Sequence, residues 1–167
     1  MVTILSLLWR IALLRSGPED VPSSSALLVV IITGNMIVSL ILSLSLGDQG
    51  AGVVLTTILI NLAAQAAIIY GLLYIVGKPD RLTQTLSAYF GCDLLLNLLI
   101  GSGIIVLRIF GFDVITPLAL AIVLWSVVVF GFIFHRALEV HMVVGVGLAF
   151  ILMLVTVSMG QLAVGNS

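Results

Sequence analysis

Charge is what this sequence has least of. Six Lys or Arg and seven Asp or Glu are spread over 167 residues, or 8% of the chain, where a soluble domain carries about 25%. So few charges could not keep a chain that is 62% hydrophobic, with a mean hydropathy of +1.38, dissolved in water. The net charge of −1 supplies no basic patch, so a nucleic-acid partner is not expected. Cysteine is limited to Cys92, which excludes an intrachain disulfide and any multi-cysteine metal site. Proline is scarce, and only Pro117 falls inside an apolar run, in its first turn, where a missing N–H is harmless. There is no Gly-x-Ser-x-Gly, no P-loop and no His-Glu-x-x-His. The many serines sit in apolar runs, where hydroxyls bond back to the helix. No enzyme and no cofactor are expected.

What is present is a set of long apolar runs. A helical span needs about 20 mostly apolar residues. Runs of that length cover about 24–46, 52–77, 82–107, 114–134 and 142–164, and every charged residue except Asp93 lies between or outside them. Backbone groups must be satisfied within lipid, so the runs are expected as helices. The predicted fold is an all-α integral membrane protein with five transmembrane helices, preceded by a short amphipathic interfacial helix. Residues 1–16 form the arm and 17–167 the transmembrane domain. The short links at Gly47–Gly50, Lys78–Arg81, Arg108–Asp113 and His135–His141 make sequential helices antiparallel neighbours.

Lys and Arg set the orientation. Arg10, Arg15, Lys78, Arg81 and Arg136 fall at one end of the spans and Arg108 at the other. This places the N-terminus in the cytoplasm and the C-terminus outside. In the arm, Thr3, Ser6 and Arg10 recur at helical spacing, while Val2, Leu5, Leu8, Trp9 and Ala12 cover the rest. Its positive residues follow the apolar stretch, unlike those of a signal peptide. The arm is expected either to lie on the cytoplasmic face or to dock a partner. Gly17, Pro18 and Pro22 break it, and Ser23, Ser24 and Ser25 offer N-caps for the first span.

Three spans carry polar residues four apart, each set on one helix face: Asn35, Ser39 and Ser43; Thr57, Asn61 and Gln65; Tyr89, Asp93 and Asn97. Lipid would reject such stripes, so they should face other helices or water. Asn35, Gln65 and Asn97 lie near the centres of their spans and are expected to share a mid-membrane layer, bonded to one another. This layer reads either as interhelical glue or as a polar path. Asp93 lies about 18 Å along a helix from Arg81. A charge at that depth calls for a partner, and the candidates are Arg136, His141 and His135. Without one, Asp93 would suit proton relay or cation binding. His135, Glu139 and His141 are too few to hold zinc, and no metal is expected. Ala63 with Ala67, and Gly145 with Ala149, are small pairs that let helices approach closely.

The run KPDRLTQTLSAYFGCDLLLN, Lys78 to Asn97, is followed by a glycine-containing apolar stretch and then by LWSVVVFGFIFHRALEVHMVVGVGLAFILM, Leu124 to Met153. With five spans, this resembles the Yip-domain family of small integral membrane proteins, and its bacterial members in particular. Eukaryotic members act in vesicle traffic and bind small GTPases, with a long soluble N-terminal region and an Asp-Leu-Tyr-Gly-Pro type motif. Neither feature is found here, so GTPase binding is not carried over. The resemblance implies a helical membrane protein without known catalysis and transfers no site residue.

The first functional reading is a non-catalytic scaffold or accessory subunit of a membrane assembly. Its partners would be the lipid bilayer and other membrane proteins or a second copy of the chain. The alternative is a small transporter or channel using Asp93, Asn97, Gln65, Asn61 and Asn35. An intramembrane enzyme is a third reading and would need reactive groups meeting at one depth.

Overall fold

The computed structural model of the chain describes residues 4–46, 50–110 and 115–165. Within these, an N-terminal helix α1 (Ile4–Ala12) precedes α2 (Ser25–Leu46), α3 (Ala51–Ile75), α4 (Leu82–Phe110), α5 (Ile115–Leu138) and α6 (Met142–Gly165). Short 3-10 turns cover Pro18–Asp20 and Pro79–Arg81, and no strand occurs among the described residues. Five of the helices, α2 to α6, are long and apolar enough to span a membrane. Asp48, Gln49, Asp113, the Arg108 side chain, Val2 and Thr3 lie outside what is described.

The helix ends follow from local chemistry. Ser24 caps α2, its hydroxyl accepting from the Leu27 N–H at 3.4 Å. Gly77 ends α3 with φ +75, and the Lys78 N–H returns to the Leu73 carbonyl at 2.8 Å, a left-handed cap that suits glycine. The fourth connection behaves differently from the expectation. His135 and Arg136 continue α5 to Leu138 instead of opening a polar loop at residue 135. Nothing in Phe-His-Arg-Ala-Leu breaks a helix, and basic residues suit a last turn. The break comes at Glu139, with φ 56.

Span α4 is the axis. Its mean hydropathy is 1.3, against 2.0 to 2.5 for the other four, and it is the most buried of the five. Both facts have one cause: a helix surrounded by protein can carry polar residues that lipid would reject. Helix α2 packs chiefly on α4, α3 on α6, and α5 on both α4 and α6. One core gathers Ile69, Leu73, Leu86, Phe90 and Phe134 among its fully or nearly fully buried residues. Tyr89 stacks on Phe130 there, with ring centroids 4.4 Å apart, and meets Phe90 edge-on at 5.4 Å.

A second core belongs to α1. Leu8, Ile11 and Ala12 are buried against Ala88 and Cys92 of α4 and Val129 and Ile133 of α5. The Trp125 indole donates to the Ala12 carbonyl at 3.2 Å. Gly91 makes room for this contact, because a Cβ there would sit 2.6 Å from Leu8 Cδ2. The buried face of the arm is thus Leu8, Ile11 and Ala12, and it covers α4 and α5 of the same chain. Leu5 and Trp9 point away, 63% and 45% exposed.

Candidate functional site

The polar stripes of α2 and α3 converge. A cavity of about 250 Å³ is lined by Asn35, Ser39 and Ser43 from α2, by Thr57, Asn61 and Gln65 from α3, by Asp93 from α4 and by Thr156 from α6. Val54, Ile58, Leu62 and Phe90 complete the wall. The residue type at each position follows from the four-residue repeat, which stacks three polar groups along one face of a helix. The cavity runs from mid-helix toward the end where α2 and α3 are joined, because Ser43 and Val54 lie in the last and first turns of those helices. At the other end Phe90, a member of the aromatic core, forms part of its wall.

Asp93 sits in this wall with amides as its partners. Asn35 donates from Nδ2 to Asp93 Oδ2 at 2.8 Å and to the Phe90 carbonyl at 3.1 Å. Asn97, one turn on, donates to the same Oδ2 at 3.2 Å. Ser39 donates to Asn35 Oδ1 at 3.1 Å, which completes the bonding of that buried amide. Both amides bind one carboxylate oxygen, and no described residue donates to the other.

This arrangement corrects two expectations. The amides do not form a mutual layer. Asn35 and Asn97 both turn to Asp93, the strongest acceptor within reach, and Gln65 donates instead to Thr156 Oγ1 on α6 at 3.4 Å. Nor does Asp93 pair with Arg136, His141 or His135. Arg136 pairs with Glu19, His135 Nδ1 faces the Val140 carbonyl, and His141 Nδ1 accepts from the Val143 N–H at 3.4 Å. All three stand at or just past the end of α5, while Asp93 lies about 16 Å along α4 from Leu82. No Lys, Arg or His lines the cavity among the described residues.

Two wall atoms are left over. Thr57 Oγ1 and Asn61 Oδ1 are buried with no hydrogen-bond partner, a state that usually marks a site for something else. Thr156 is the one polar wall residue that the stripes did not point to. It stands nearly alone in an apolar helix, and only its neighbour across the bundle, Gln65, gives it a role. Tyr89 shares the α4 stripe but belongs to the aromatic core.

The opposite end of the bundle carries the ion pairs. Lys78 and Arg81 both bind Glu139, the latter at 2.9 Å, and Arg81 also donates to the Ala137 carbonyl at 3.4 Å. The Lys78 hydrogen bond and charge, with Arg81 behind them, hold the Glu139 carboxyl below its ordinary range. Glu19, Arg81, His135, Arg136, Glu139 and Val140 line an open cleft of about 400 Å³ there. Acids and bases alternate around it, so it presents no net charge of one sign. No group of three or more His, Cys, Asp or Glu gathers to hold a metal ion among the described residues. Comparison with protein-family models, with curated proteins and with solved structures finds no match to this chain.

Proposed function

We propose that the chain is a small carrier or channel of the bacterial inner membrane that takes a polar solute into the cavity beside Asp93. One observation supports this above the others: a carboxylate at mid-bundle faces a roomy polar cavity with no basic residue among the described ones to neutralise it. Polar groups inside spans are costly and tend to mark solute or ion paths. Interhelical glue would need neither the cavity nor the two unpaired wall atoms. Arg10, Arg15, Lys78, Arg81 and Arg136 at one end make that end cytoplasmic. The cavity then reaches toward the outer face, and Tyr89, Phe90, Phe130 and Phe134 form its inner barrier. On this reading, exposed Leu5 and Trp9 of α1 sit at the interfacial level of the inner leaflet.

The test is solute flux in liposomes holding the purified chain. Asp93→Asn keeps the size of the side chain and removes its charge. A charge-assisted hydrogen bond contributes about 1.5–3 kcal/mol, so the flux should fall about tenfold or more. Wild-type liposomes that pass no solute faster than protein-free ones would end the proposal.

The accessory-subunit reading keeps one supporting observation. Ala63 and Ala67 are exposed on the outer face of α3, beside exposed Leu59, Ile60, Tyr70 and Tyr74, where another helix would approach closely. The other small pair is already used within the chain: Gly145 packs on α5 and Ala149 lies in the core. A monodisperse monomer in mild detergent, with no association in bilayers, would remove this reading.

A further inference from the structure

We infer that the cavity beside Asp93 selects a monovalent cation that carries N–H donors, a small protonated amine. This rests on the carrier reading and names its substrate class.

The bonding inventory of the wall sets the sign and the polarity. Both N–H donors of Asn35 are spent inside the protein, on Asp93 and on the Phe90 carbonyl, while Asn97 and Gln65 each place one donor, on Asp93 and on Thr156. What remains to be satisfied is rich in acceptors: the second Asp93 oxygen, Asn61 Oδ1 and Thr57 Oγ1, the last a hydroxyl that can also donate. An anion would meet a carboxylate and no base. A neutral solute would leave the Asp93 charge without a counter-charge. A cation with N–H donors satisfies the carboxylate charge and the orphaned oxygens together.

The charge count limits the valence. Among the described residues Asp93 is the only acidic one on the wall, so one positive charge balances it and two would leave an excess in a poorly screened site. The volume separates an organic cation from a bare ion. A water molecule takes about 30 Å³ of liquid, so about 250 Å³ holds several waters or one amine with a short alkyl group. A bare metal ion wants oxygens converging at about 2–2.6 Å, and a space this wide does not bring them together unaided. Val54, Ile58, Leu62 and Phe90 offer the alkyl part an apolar surface on the same wall.

The experiment is titration calorimetry on the full chain in nanodiscs, with ethylammonium, sodium and acetamide as separate probes at constant ionic strength. Flux of the same three probes is followed in liposomes. Ethylammonium should bind saturably and cross, with sodium and acetamide at least about tenfold weaker. Asp93→Asn should weaken ethylammonium about tenfold or more, and Asn61→Ala by a smaller factor. Asn61 Oδ1 has no partner to lose, so Asn61→Ala leaves the fold intact and carries the test if Asp93→Asn does not fold. Sodium binding as tightly as ethylammonium would overturn the need for N–H donors. Acetamide binding and crossing as well as ethylammonium, or ethylammonium binding indifferent to both substitutions, would overturn the cation class while leaving the carrier reading in place. No binding and no flux of any probe would overturn both.

Discussion

The two sides of this bundle are built by opposite means. Where α5 meets α6, side chains are removed so that backbones touch. A Cβ on Gly131 would lie 2.6 Å from the Val146 Cα and 2.9 Å from its nitrogen, and one on Gly145 would run into the Gly131 carbonyl and the His135 nitrogen. Where α2 faces α3, side chains are kept but made polar, and the helices stand apart around a cavity. Lipid offers little hydrophobic drive for helices to associate, so dispersion at close range and interhelical hydrogen bonds remain. The glycine seam uses the first. The Asp93 cluster uses the second and leaves space over. The contrast teaches that stability and function are drawn from different seams.

The seam with no room to give should respond most to substitution. Gly131→Ala places a methyl group against backbone, which cannot rotate aside, and overpacking of this kind costs about 3 kcal/mol or more. The expected result is a large loss of folded protein in a denaturant titration in detergent micelles. Gly147→Ala is the matched control on the same two helices, since a Cβ there meets nothing within 4 Å. It should be neutral or slightly stabilising, because alanine is the better helix former. Equal effects from the two would show that the α5–α6 contact is not the tight one.

On the open side the largest effect should come from Asn35→Leu. Leucine is close in size and suits the apolar surroundings, but it strips Asp93 of its 2.8 Å donor and Ser39 of its acceptor. Leaving a buried acceptor unsatisfied costs about 1–3 kcal/mol, so a loss of about 2 kcal/mol is expected by the same titration. Ser39→Ala removes only one outer bond, and about 0.6 kcal/mol is its expected cost. If Asn35→Leu proved as mild as Ser39→Ala, the cluster around Asp93 would be incidental to the fold.

Much of the architecture is legible in the sequence because charge is excluded from lipid. Twelve charged residues that avoid five apolar runs place the helices within a few residues, and Ser24 and Gly77 mark two of their ends. The polar faces of α2, α3 and α4 are legible for the same reason, since four-residue spacing survives whatever the tertiary contact. What spacing cannot show is which helix stands opposite. Asn35, Gln65 and Asn97 each lie near the centre of a span, yet which amide meets which acceptor depends on how each helix is rotated. Asp93 captures two of them and leaves Thr156 to the third. Arg136, one of three candidate partners for Asp93, failed on depth: it lies in the last turn of α5 and meets Glu19 instead. The intramolecular docking of α1 was hidden because an apolar helix face looks the same whether lipid, a partner or its own chain covers it.

The smallest expected effect lies at the ion-pair end, where the two sides are tied together. Glu139, just past α5, binds Lys78 and Arg81 at the α3–α4 junction. It does so at φ 56, a left-handed conformation that a glycine would adopt without strain. Retention of a carboxylate at such a position points to the ion pairs as its reason. Its pKa is held below the ordinary value of 4.5, chiefly by the Lys78 hydrogen bond and charge. The sign of the pH effect follows from linkage. The unfolded chain takes up this proton first, so the stabilisation is fully present above about pH 4.5 and fades as the pH falls toward the folded pKa. The pairs are solvent-exposed and screened by salt, so the effect is small. Glu139→Gln should therefore match the parent once the pH is below the folded pKa and fall slightly behind it at neutral pH, with the gap closing in high salt. A gap that widened on acidification would mean that Glu139 is not an anion in the fold, and that the tie between the two seams lies elsewhere.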